Sequence, residues 1–194
     1  MSRIYLVRHA SHDRVRTILC GRMPGIVLGA AGLKEAAALA ERLRDSGATL
    51  VLSSPRERAL ATADAIAGAL GQAIAVAQEL DEIAFGDWTG RSFAELADDP
   101  LWRFWNTSRA IARAPGGESM AEAQGRVLGL LERLKGTCVL VSHCDVIRAV
   151  LLKVLGLSLD AYDRLAVDPG SLSLIEYWPG GGRLLGLNER PATA

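Results

Sequence analysis

The length and charge of this chain exclude several classes of protein. At 194 residues it is long enough for one full-sized hydrophobic core and short for two, so we expect a single domain over residues 1–194. Its 22 lysines and arginines balance its 22 aspartates and glutamates, so no long-range field attracts nucleic acid or an anionic membrane. The apolar runs are far shorter than the ~20 residues of a bilayer span.

The three cysteines also bear on where the protein works. Cys20, Cys138 and Cys144 are an odd number, and they form neither a C-x-x-C pair nor a zinc-site spacing. Such usage is typical of a reducing compartment, in which thiols stay free. We therefore predict a soluble, unprocessed cytoplasmic protein with no nucleic-acid partner and no membrane partner.

The chain begins with a short strand and a long loop. Ile4–Val7 is an apolar run too short for a helix, and it predicts a buried strand that ends in Arg8 and His9. Residues 10–31 are polar and rich in turn residues, so we predict a loop at the edge of the sheet. Apolar residues at helical spacing then predict a helix over residues 33–43.

A second strand and helix follow. Leu50–Leu52 predicts the strand, and Ser54-Pro55-Arg56-Glu57 matches a capping box with proline at the first helical position. The helix is predicted to run to Leu70 and to present Arg58 in its first turn. A weaker strand is predicted at Ile74–Val76.

The middle of the chain has poor periodicity. Residues 92–113 contain Trp102 and Trp105, and we predict short helices here that form a flap over the edge of the sheet. We interpret both tryptophans as packing residues rather than as a platform for a substrate. Substrate specificity is expected to lie in this flap, residues 83–118, and in the loop over residues 11–31.

The remaining elements complete an α/β pattern. They are a helix that starts with a capping box at Ser119 and Glu122, a strand Cys138–Val141 that leads to His143, a helix over residues 147–154, and a hairpin or edge strands over residues 172–187. Strands that alternate with helices predict a three-layer αβα sandwich with a mostly parallel sheet and an antiparallel edge strand.

Basic and imidazole side chains follow three of the predicted strands. The first strand leads to Arg8 and His9, the second to Arg58, and a later one to His143. Ligands bind beyond the carboxyl ends of strands in such sheets, so these four groups are expected to share one pocket. Unpaired cations in a partly buried pocket are costly unless an anion lies among them. A phosphoryl group suits the planar fork of arginine, and we predict that it binds here.

Each titratable group then has an expected role. Nearby arginines lower the pKa of a histidine, so we predict that His9 is neutral and attacks phosphorus as the nucleophile. His143 is predicted to stabilise charge on the phosphoryl oxygens in the transition state. Glu82, in an apolar stretch beside the flap, is predicted to stay protonated and to donate a proton to the leaving alkoxide.

Five motifs occur in the order of a known family. They are L-V-R-H-A at the amino terminus, S-S-P-R-E-R-A-L-A-T-A at 53–63, L-D-E-I-A-F-G-D-W-T-G at 80–90, P-G-G-E-S at 115–119 and V-S-H-C-D-V-I-R at 141–148. Together they resemble the histidine phosphatase superfamily, in its phosphoglycerate-mutase-like branch. The resemblance implies the phosphoglycerate-mutase-like fold and an enzyme that needs no metal and no cofactor.

The resemblance also implies a role for each of five residues. It makes His9 the phosphorylated nucleophile, Arg8 and Arg58 the phosphoryl-binding residues, Glu82 the proton donor and His143 the second histidine of the pocket. These roles coincide with those argued from the residues, although the role of Glu82 rests mainly on the family pattern.

Several positions around the nucleophile depart from the family pattern. The residues concerned are Ala10 in place of glycine, Ser11 in place of an acidic residue, His12 in place of threonine, Val15 in place of asparagine, and Cys144 in place of the glycine after the second histidine. These departures alter the polar lining of the pocket, and they favour a phosphatase over a mutase. The segment between Trp88 and Pro115, which is shorter than in the mutases it resembles, favours the same conclusion.

We therefore predict a metal-independent phosphomonoester phosphatase that acts through phosphohistidine on a small phosphorylated metabolite. A phosphoglycerate-mutase-type phosphotransferase and a non-catalytic phosphate-binding protein are the alternatives. Two other chemistries are weighed less: a metal hydrolase with His9, His12, Asp13 and His143 as ligands, and a thiol nucleophile at Cys144. The partner we expect is the substrate, and the sequence leaves a homodimer open.

Overall fold

The strands of the protein form one sheet in a computed structural model that describes residues 1–193. The strands are β1 (Ser2–Arg8), β2 (Leu50–Ser53), β3 (Ile74–Val76), β4 (Gly136–Ser142), β5 (Leu172–Trp178) and β6 (Gly181–Glu189). The helices are α1 (Ala30–Leu43), α2 (Glu57–Leu70), α3 (Phe93–Ala97), α4 (Pro100–Thr107), α5 (Met120–Leu131) and α6 (Cys144–Val154). Short 3-10 segments cover residues 78–80, 86–88 and 159–164.

The sheet has the order β3-β2-β4-β1-β5-β6. The first four strands in this order are parallel, β5 is antiparallel to β1, and β6 is antiparallel to β5. The predicted α/β class is therefore confirmed. The strand that runs against the others is β5, which lies next to the edge strand β6. The predicted C-terminal hairpin is the pair β5 and β6.

The central strands of the sheet are buried on both faces. Ile4 and Leu6 of β1 belong to one apolar cluster, and Tyr5 and Val7 belong to another on the opposite face. Side chains of a strand point alternately to opposite faces, so each face needs its own layer of helices. Helices α1 and α2 cover one face, and α5 and α6 cover the other, which confirms the three layers. No helix within residues 1–193 is long and apolar enough to cross a membrane.

One predicted helix start is wrong. Helix α2 begins at Glu57, its N-cap is Arg56, and neither residue makes the reciprocal side-chain bonds of a capping box. The Glu57 carboxylate accepts a hydrogen bond from the Gly25 N–H instead, at 2.9 Å. The Ser54 hydroxyl accepts a hydrogen bond from the Arg56 N–H at 3.3 Å, and its other partners are His143 and Asp81, so it does not cap the first turn of α2. The predicted capping box of Ser119 is confirmed, and Ser92 starts α3 with another.

The flap is fastened to the first loop and to the core. Ile18 of the loop forms a β-bridge with Ser92, and the Leu19 N–H donates to the Arg91 carbonyl at 2.9 Å. Trp105 is fully buried, which agrees with a packing role. Trp102 is half-buried and lines the cavity described below. A packing role therefore describes only the buried part of its side chain.

Two backbone segments at the base of the flap approach so closely that only glycine fits. Gly86 has φ +50°, and a Cβ atom built on it lies 2.0 Å from the Pro115 carbonyl oxygen. A Cβ atom on Gly117 lies 2.1 Å from the Ala84 carbonyl oxygen. The Glu118 N–H donates to the same Ala84 carbonyl at 2.7 Å. The two glycine segments therefore hold the start and the end of the flap together.

Replacing Gly86 by alanine tests this contact. The alanine must keep the left-handed φ of Gly86, and its methyl group must displace the Pro115 carbonyl. Gly86→Ala is therefore expected to lower the free energy of unfolding by about 2–4 kcal/mol. Gly71→Ala is the matched control, because Gly71 also has a positive φ of +63° but nothing lies within 4 Å of its Cβ position. The control is expected to cost about 1 kcal/mol. Equal losses for both variants in urea unfolding would contradict the close approach.

Candidate active site

The carboxyl ends of three neighbouring parallel strands open into one cavity. Strand β4 lies between β1 and β2, so the residues that follow all three strands are adjacent. The His9 N–H donates to the Ser142 carbonyl at 3.0 Å, which continues the ladder between β1 and β4 by one residue. Beyond the strand ends the structure brings together all four groups that the sequence indicated, Arg8, His9, Arg58 and His143.

The imidazole of His9 is buried and held in one orientation. Its Nδ1 atom lies 2.9 Å from the Ala10 carbonyl oxygen, so in the neutral ring Nδ1–H is the donor. The other nitrogen, Nε2, then carries the lone pair and accepts a hydrogen bond from Arg58 Nε at 3.2 Å. Burial, followed by the charges of Arg58 and Arg8, holds the pKa of the His9 imidazole well below its usual value. His9 is therefore a neutral imidazole whose Nε2 lone pair is directed at Arg58.

The imidazole of His143 lies beside that of His9. The two ring centroids are 5.1 Å apart, and the His143 ring is fully buried. Arg58 Nη2 lies 3.2 Å from His143 Nδ1, so Nδ1 is an acceptor in the neutral ring and Nε2 carries the proton. Burial, followed by the charges of Arg58 and other neighbours, lowers the pKa of His143 well below its usual value.

Ser54 and Asp81 support His143 from behind, and sequence reasoning missed both. The Ser54 hydroxyl lies 2.7 Å from His143 Nε2, and it lies 3.4 Å from the Asp81 carboxylate. Since His143 Nε2 donates, the hydroxyl accepts from it and donates to Asp81. Asp81 is 4% exposed and pairs with the Arg56 side chain at 3.0 Å. The position of Ser54 at the end of a strand was the available signal, but its capping-box pattern suggested a different partner.

The two arginines offer free donors to the cavity. Arg58 is 1% exposed, and its Nη2 donates to the Gly21 carbonyl at 2.8 Å as well as to His143. Arg8 Nη1 donates to the Val167 carbonyl at 2.6 Å. Arg58 Nη1 and Arg8 Nε are buried, and neither has a hydrogen-bond partner within residues 1–193. Buried donors without partners are rare, and here they indicate a place for an anion.

Glu82 reaches the same pocket from the segment before the flap. Its Oε2 atom lies 3.7 Å from His143 Nδ1, and its Oε1 atom accepts a hydrogen bond from the Ile83 N–H at 2.9 Å. The Ser142 hydroxyl at the end of β4 donates to the Leu80 carbonyl at 2.7 Å, and this bond fixes the segment next to the histidines. The carboxyl group of Glu82 therefore faces the cavity.

Burial changes the protonation of Glu82. Burial first, and the negative charge of Asp145 second, raise the pKa of the Glu82 carboxyl group to about 7, against a smaller opposing effect of Arg58. A carboxyl group with this pKa holds its proton up to neutral pH. The same cavity therefore contains a neutral nucleophile candidate, His9, and an acid candidate, Glu82, that keeps its proton below about pH 7.

His12 is a third histidine of the cavity. Its ring stacks on that of His9 with centroids 5.5 Å apart, and its buried Nδ1 atom has no hydrogen-bond partner within residues 1–193. Burial, followed by the charges of Arg58 and Arg8, lowers the pKa of His12 to about 4. Sequence reasoning considered His12 only as a metal ligand or a loop residue, although its spacing of three from His9 was a signal of proximity.

The ligand set weighed for a metal hydrolase is not assembled. Within residues 1–193 no group of three or more histidine, cysteine, aspartate or glutamate side chains is placed to hold a metal ion. Asp13, the only carboxylate of that set, has an exposed side chain and contacts Gly29. The residues present therefore do not form the proposed metal centre.

Cys144 does not have the properties of a nucleophile. Its thiol lies 3.5 Å from the Val167 carbonyl oxygen, to which it donates. Burial, and then the negative charge of Asp145, raise the pKa of the Cys144 thiol to about 11. A thiol in this state stays protonated at neutral pH and is unreactive.

Two of the other departures from the family pattern have clear partners. The Ala10 N–H donates to the Thr62 hydroxyl at 3.0 Å, and Thr62 in turn donates to the Arg58 carbonyl at 2.8 Å. The Ser11 N–H and hydroxyl both donate to the Glu35 carboxylate, at 2.8 and 2.9 Å. Ser11 is thereby turned towards α1, while the backbone at Ala10 is tied to the helix that carries Arg58.

The cavity has a volume of about 730 Å³, well beyond what a phosphoryl group fills. Its inner end contains Arg8, His9, Arg58 and Glu82. Its outer part lies between the first loop and the flap, the two segments in which the sequence analysis expects specificity. The arrangement can therefore bind a phosphorylated compound with the phosphoryl group innermost and the rest of the molecule outside.

Comparison with known proteins agrees with this geometry. The sequence model of the histidine phosphatase superfamily (branch 1) matches residues 4–190. Phosphoserine phosphatase 1 of Hydrogenobacter thermophilus is 30% identical over 198 residues, which cover 97% of this chain and 92% of that protein. A probable phosphoglycerate mutase, GpmB, of Salmonella paratyphi C is 32% identical over 184 residues, with 91% and 86% covered.

A solved structure shares the fold. A mycobacterial glucosyl-3-phosphoglycerate phosphatase in complex with VO3 has a TM-score of 0.85 and 28% identity, and the match covers 97% of this chain and 99% of that chain. Other mycobacterial relatives, 35% identical, are longer proteins of which this chain spans 51%. Since the family match covers nearly the whole chain and all five motifs, the resemblance is confirmed, and the protein belongs to the histidine phosphatase superfamily.

Proposed function

We propose that the protein is a metal-independent phosphomonoester phosphatase that acts through a phosphohistidine at His9 on a small phosphorylated metabolite. The observation that carries the proposal is the group of two neutral imidazoles and two arginines at the inner end of one cavity, where buried donors lack partners. A dianionic phosphoryl group would offer acceptors to the guanidinium groups of Arg8 and Arg58, which both line the cavity. The phosphatase names of several relatives support the same class of reaction.

In the first step His9 Nε2 attacks phosphorus. The nitrogen–phosphorus bond forms while the bond from phosphorus to the ester oxygen breaks, and Glu82 transfers its proton to the departing alkoxide. Arg58 Nε, which donates to His9 Nε2 in the structure, turns its hydrogen bond to the phosphoryl oxygens. The negative charge of the bound phosphoryl group also offsets Arg58 and Arg8, so His143 can take up a proton from solvent at Nδ1, donate a hydrogen bond to a phosphoryl oxygen, and return the proton to solvent when phosphate leaves.

In the second step water opens the phosphohistidine. The oxygen of a water molecule bonds to phosphorus while the carboxylate of Glu82 accepts a proton from that water, and the nitrogen–phosphorus bond breaks. Inorganic phosphate leaves, and neutral His9 and protonated Glu82 are restored. A mutase differs only in its acceptor, which is a bound intermediate rather than water. Release of phosphate without any bisphosphorylated primer therefore separates the phosphatase from the mutase.

Replacing His9 by alanine is expected to lower turnover of phosphomonoesters by at least about 10³-fold, because the nucleophile is lost. The same variant is expected to lose the acid-labile, alkali-stable phosphate label that a phosphohistidine gives after a rapid quench. His143→Ala is the matched control, since it removes an equally buried imidazole but keeps the nucleophile. It is expected to turn over slowly and still take up label at His9. Label on the His9→Ala protein would assign the nucleophile elsewhere.

The pH profile tests Glu82. Because its pKa is about 7 and the donor must be protonated, kcat/KM for an alkyl phosphate is expected to fall as pH rises above about 7. Glu82→Gln is expected to remove this alkaline limb and to lower kcat/KM for the alkyl ester by about 10²-fold or more. With p-nitrophenyl phosphate, whose leaving group needs no proton, the loss of kcat/KM is expected to be much smaller, because kcat/KM reports the transfer to His9 and not the later attack of water. An equal loss of kcat/KM on both substrates would exclude Glu82 as the proton donor.

Chelator treatment tests metal independence. Overnight dialysis against EDTA is expected to leave phosphatase activity within twofold of the untreated enzyme, since the proposed steps use only side chains of the protein. Full loss of activity that Mg²⁺, Mn²⁺ or Zn²⁺ restores would replace the phosphohistidine mechanism by a metal-dependent one.

A further inference from the structure

The outer part of the cavity has one apolar wall. The side chains that form it come from the first loop and from the flap: Val15, Ile18, Leu19, Phe85, Phe93 and Trp102. Phe93 is 37% exposed, and Trp102 is half-buried with its ring 6.2 Å from that of Phe93. Apolar side chains that line a concave surface next to a catalytic group are typical of a ligand subsite.

The two segments that carry this wall are held in register. The Phe93 N–H donates to the Thr17 carbonyl at 3.2 Å, one residue from the bridge between Ile18 and Ser92. The Gly90 N–H donates to the Leu19 carbonyl at 2.8 Å. Backbone hydrogen bonds on both sides of the bridge fix the loop to the flap, so the apolar wall exists before any substrate binds.

Another part of the lining is polar, and its Arg109, Asp145 and Arg148 side chains are paired with each other. Arg109 Nη1 donates to the Asp145 carboxylate at 2.8 Å, and its Nη2 donates to the Asn106 side chain at 2.9 Å. Arg148 donates to Asp145 at 3.3 Å and to the Leu165 carbonyl at 2.9 Å. Breaking such pairs leaves buried charges unpaired, which is costly. These three side chains therefore use most of their polar atoms on each other, although Arg109 Nε is buried without a partner in the described part of the chain and the exposed Asp163 and Arg164 also line the cavity.

The mouth of the cavity carries exposed arginines. Arg14 and Arg16 lie on the first loop, and Arg164 lies on the segment after α6. Exposed arginines attract an anion as it approaches but contribute little to the bound state, and the exposed Asp163 beside Arg164 offsets part of this charge. They are consistent with a dianionic phosphate head, and they do not require a second charge on the leaving group.

We propose that the substrate is the phosphate monoester of a bulky, mainly apolar alcohol, whose aromatic or branched hydrocarbon group binds against Ile18, Phe93 and Trp102. This inference rests on the proposed phosphatase function and specifies its leaving group. A small zwitterionic leaving group such as that of phosphoserine leaves the apolar wall in water. Such compounds are therefore poor substrates.

The test compares benzyl phosphate with ethyl phosphate and phosphoserine. Benzyl and ethyl alcohol are leaving groups of similar basicity, so a difference in kcat/KM reports binding of the hydrocarbon group rather than reactivity. Benzyl phosphate is expected to have a kcat/KM at least about 10-fold higher than either of the others. Phe93→Ala is expected to reduce the benzyl preference about 3- to 10-fold, mainly through KM.

Leu101→Ala is the matched control for this variant. Leu101 is an apolar flap residue that is 55% exposed and does not line the cavity. The Leu101→Ala protein is expected to keep the full benzyl preference. Equal or better turnover of ethyl phosphate or phosphoserine by the unaltered enzyme would overturn the proposal, and so would the same loss of preference in both variants.

A binding measurement separates this proposal from the proposed function. Benzylphosphonate and methylphosphonate cannot be hydrolysed, so calorimetric titration measures their affinities whether or not the protein is a phosphatase. Benzylphosphonate is expected to bind at least about 10-fold more tightly, and Phe93→Ala is expected to reduce the difference. Absence of hydrolysis together with this preference would overturn the function and support the subsite. Equal affinities would overturn the subsite, even with full phosphatase activity.

Discussion

The buried guanidinium of Arg58 is the interaction on which the site depends. It donates to His9 Nε2 and to His143 Nδ1, so a single cation lies between the two imidazoles. An unpaired buried cation is costly, and its cost must be met by the surrounding fold. The first turn of α2 and the carboxyl ends of β1 and β4 hold these side chains in place. The two imidazoles of the resulting pocket have low affinity for protons, and the pocket is suited to an anion.

Burial also explains why an acid and a base can coexist in this pocket at neutral pH. Removal from water favours the neutral form of every titratable group, so it lowers the pKa of His9 and raises that of Glu82. The arginines add to the first shift and oppose the second. Asp145 adds to the second shift, and its own charge is paired with Arg109 in the polar part of the cavity lining. The protonation states that phosphoryl transfer needs thus follow from the depth of the site.

The outer part of the cavity is built differently from the inner part. The inner groups follow strands whose register is set by the sheet, whereas the outer wall comes from two segments without long regular elements. Hydrogen bonds between residues 17–19 and 90–93 join these segments, and the close backbone contact of Gly86 with Pro115 secures the base of the flap. The proposed chemistry of the phosphoryl group and the proposed selection of the leaving group therefore rest on different parts of the structure.

The sequence by itself determined the alternation of strands and helices, because periods of two and of 3.6 residues are local properties. It also placed Arg8, His9, Arg58 and His143 after strands, and parallel strand order then brings them to one edge. Their catalytic roles stay predictions. Only the tertiary structure decided that Ser54 supports His143 instead of capping α2, that His12 stacks on His9, and that Trp102 lines the cavity while Trp105 packs inside. These outcomes depend on contacts between residues far apart in the chain, and the energy of such contacts exceeds the local preference that a sequence pattern records.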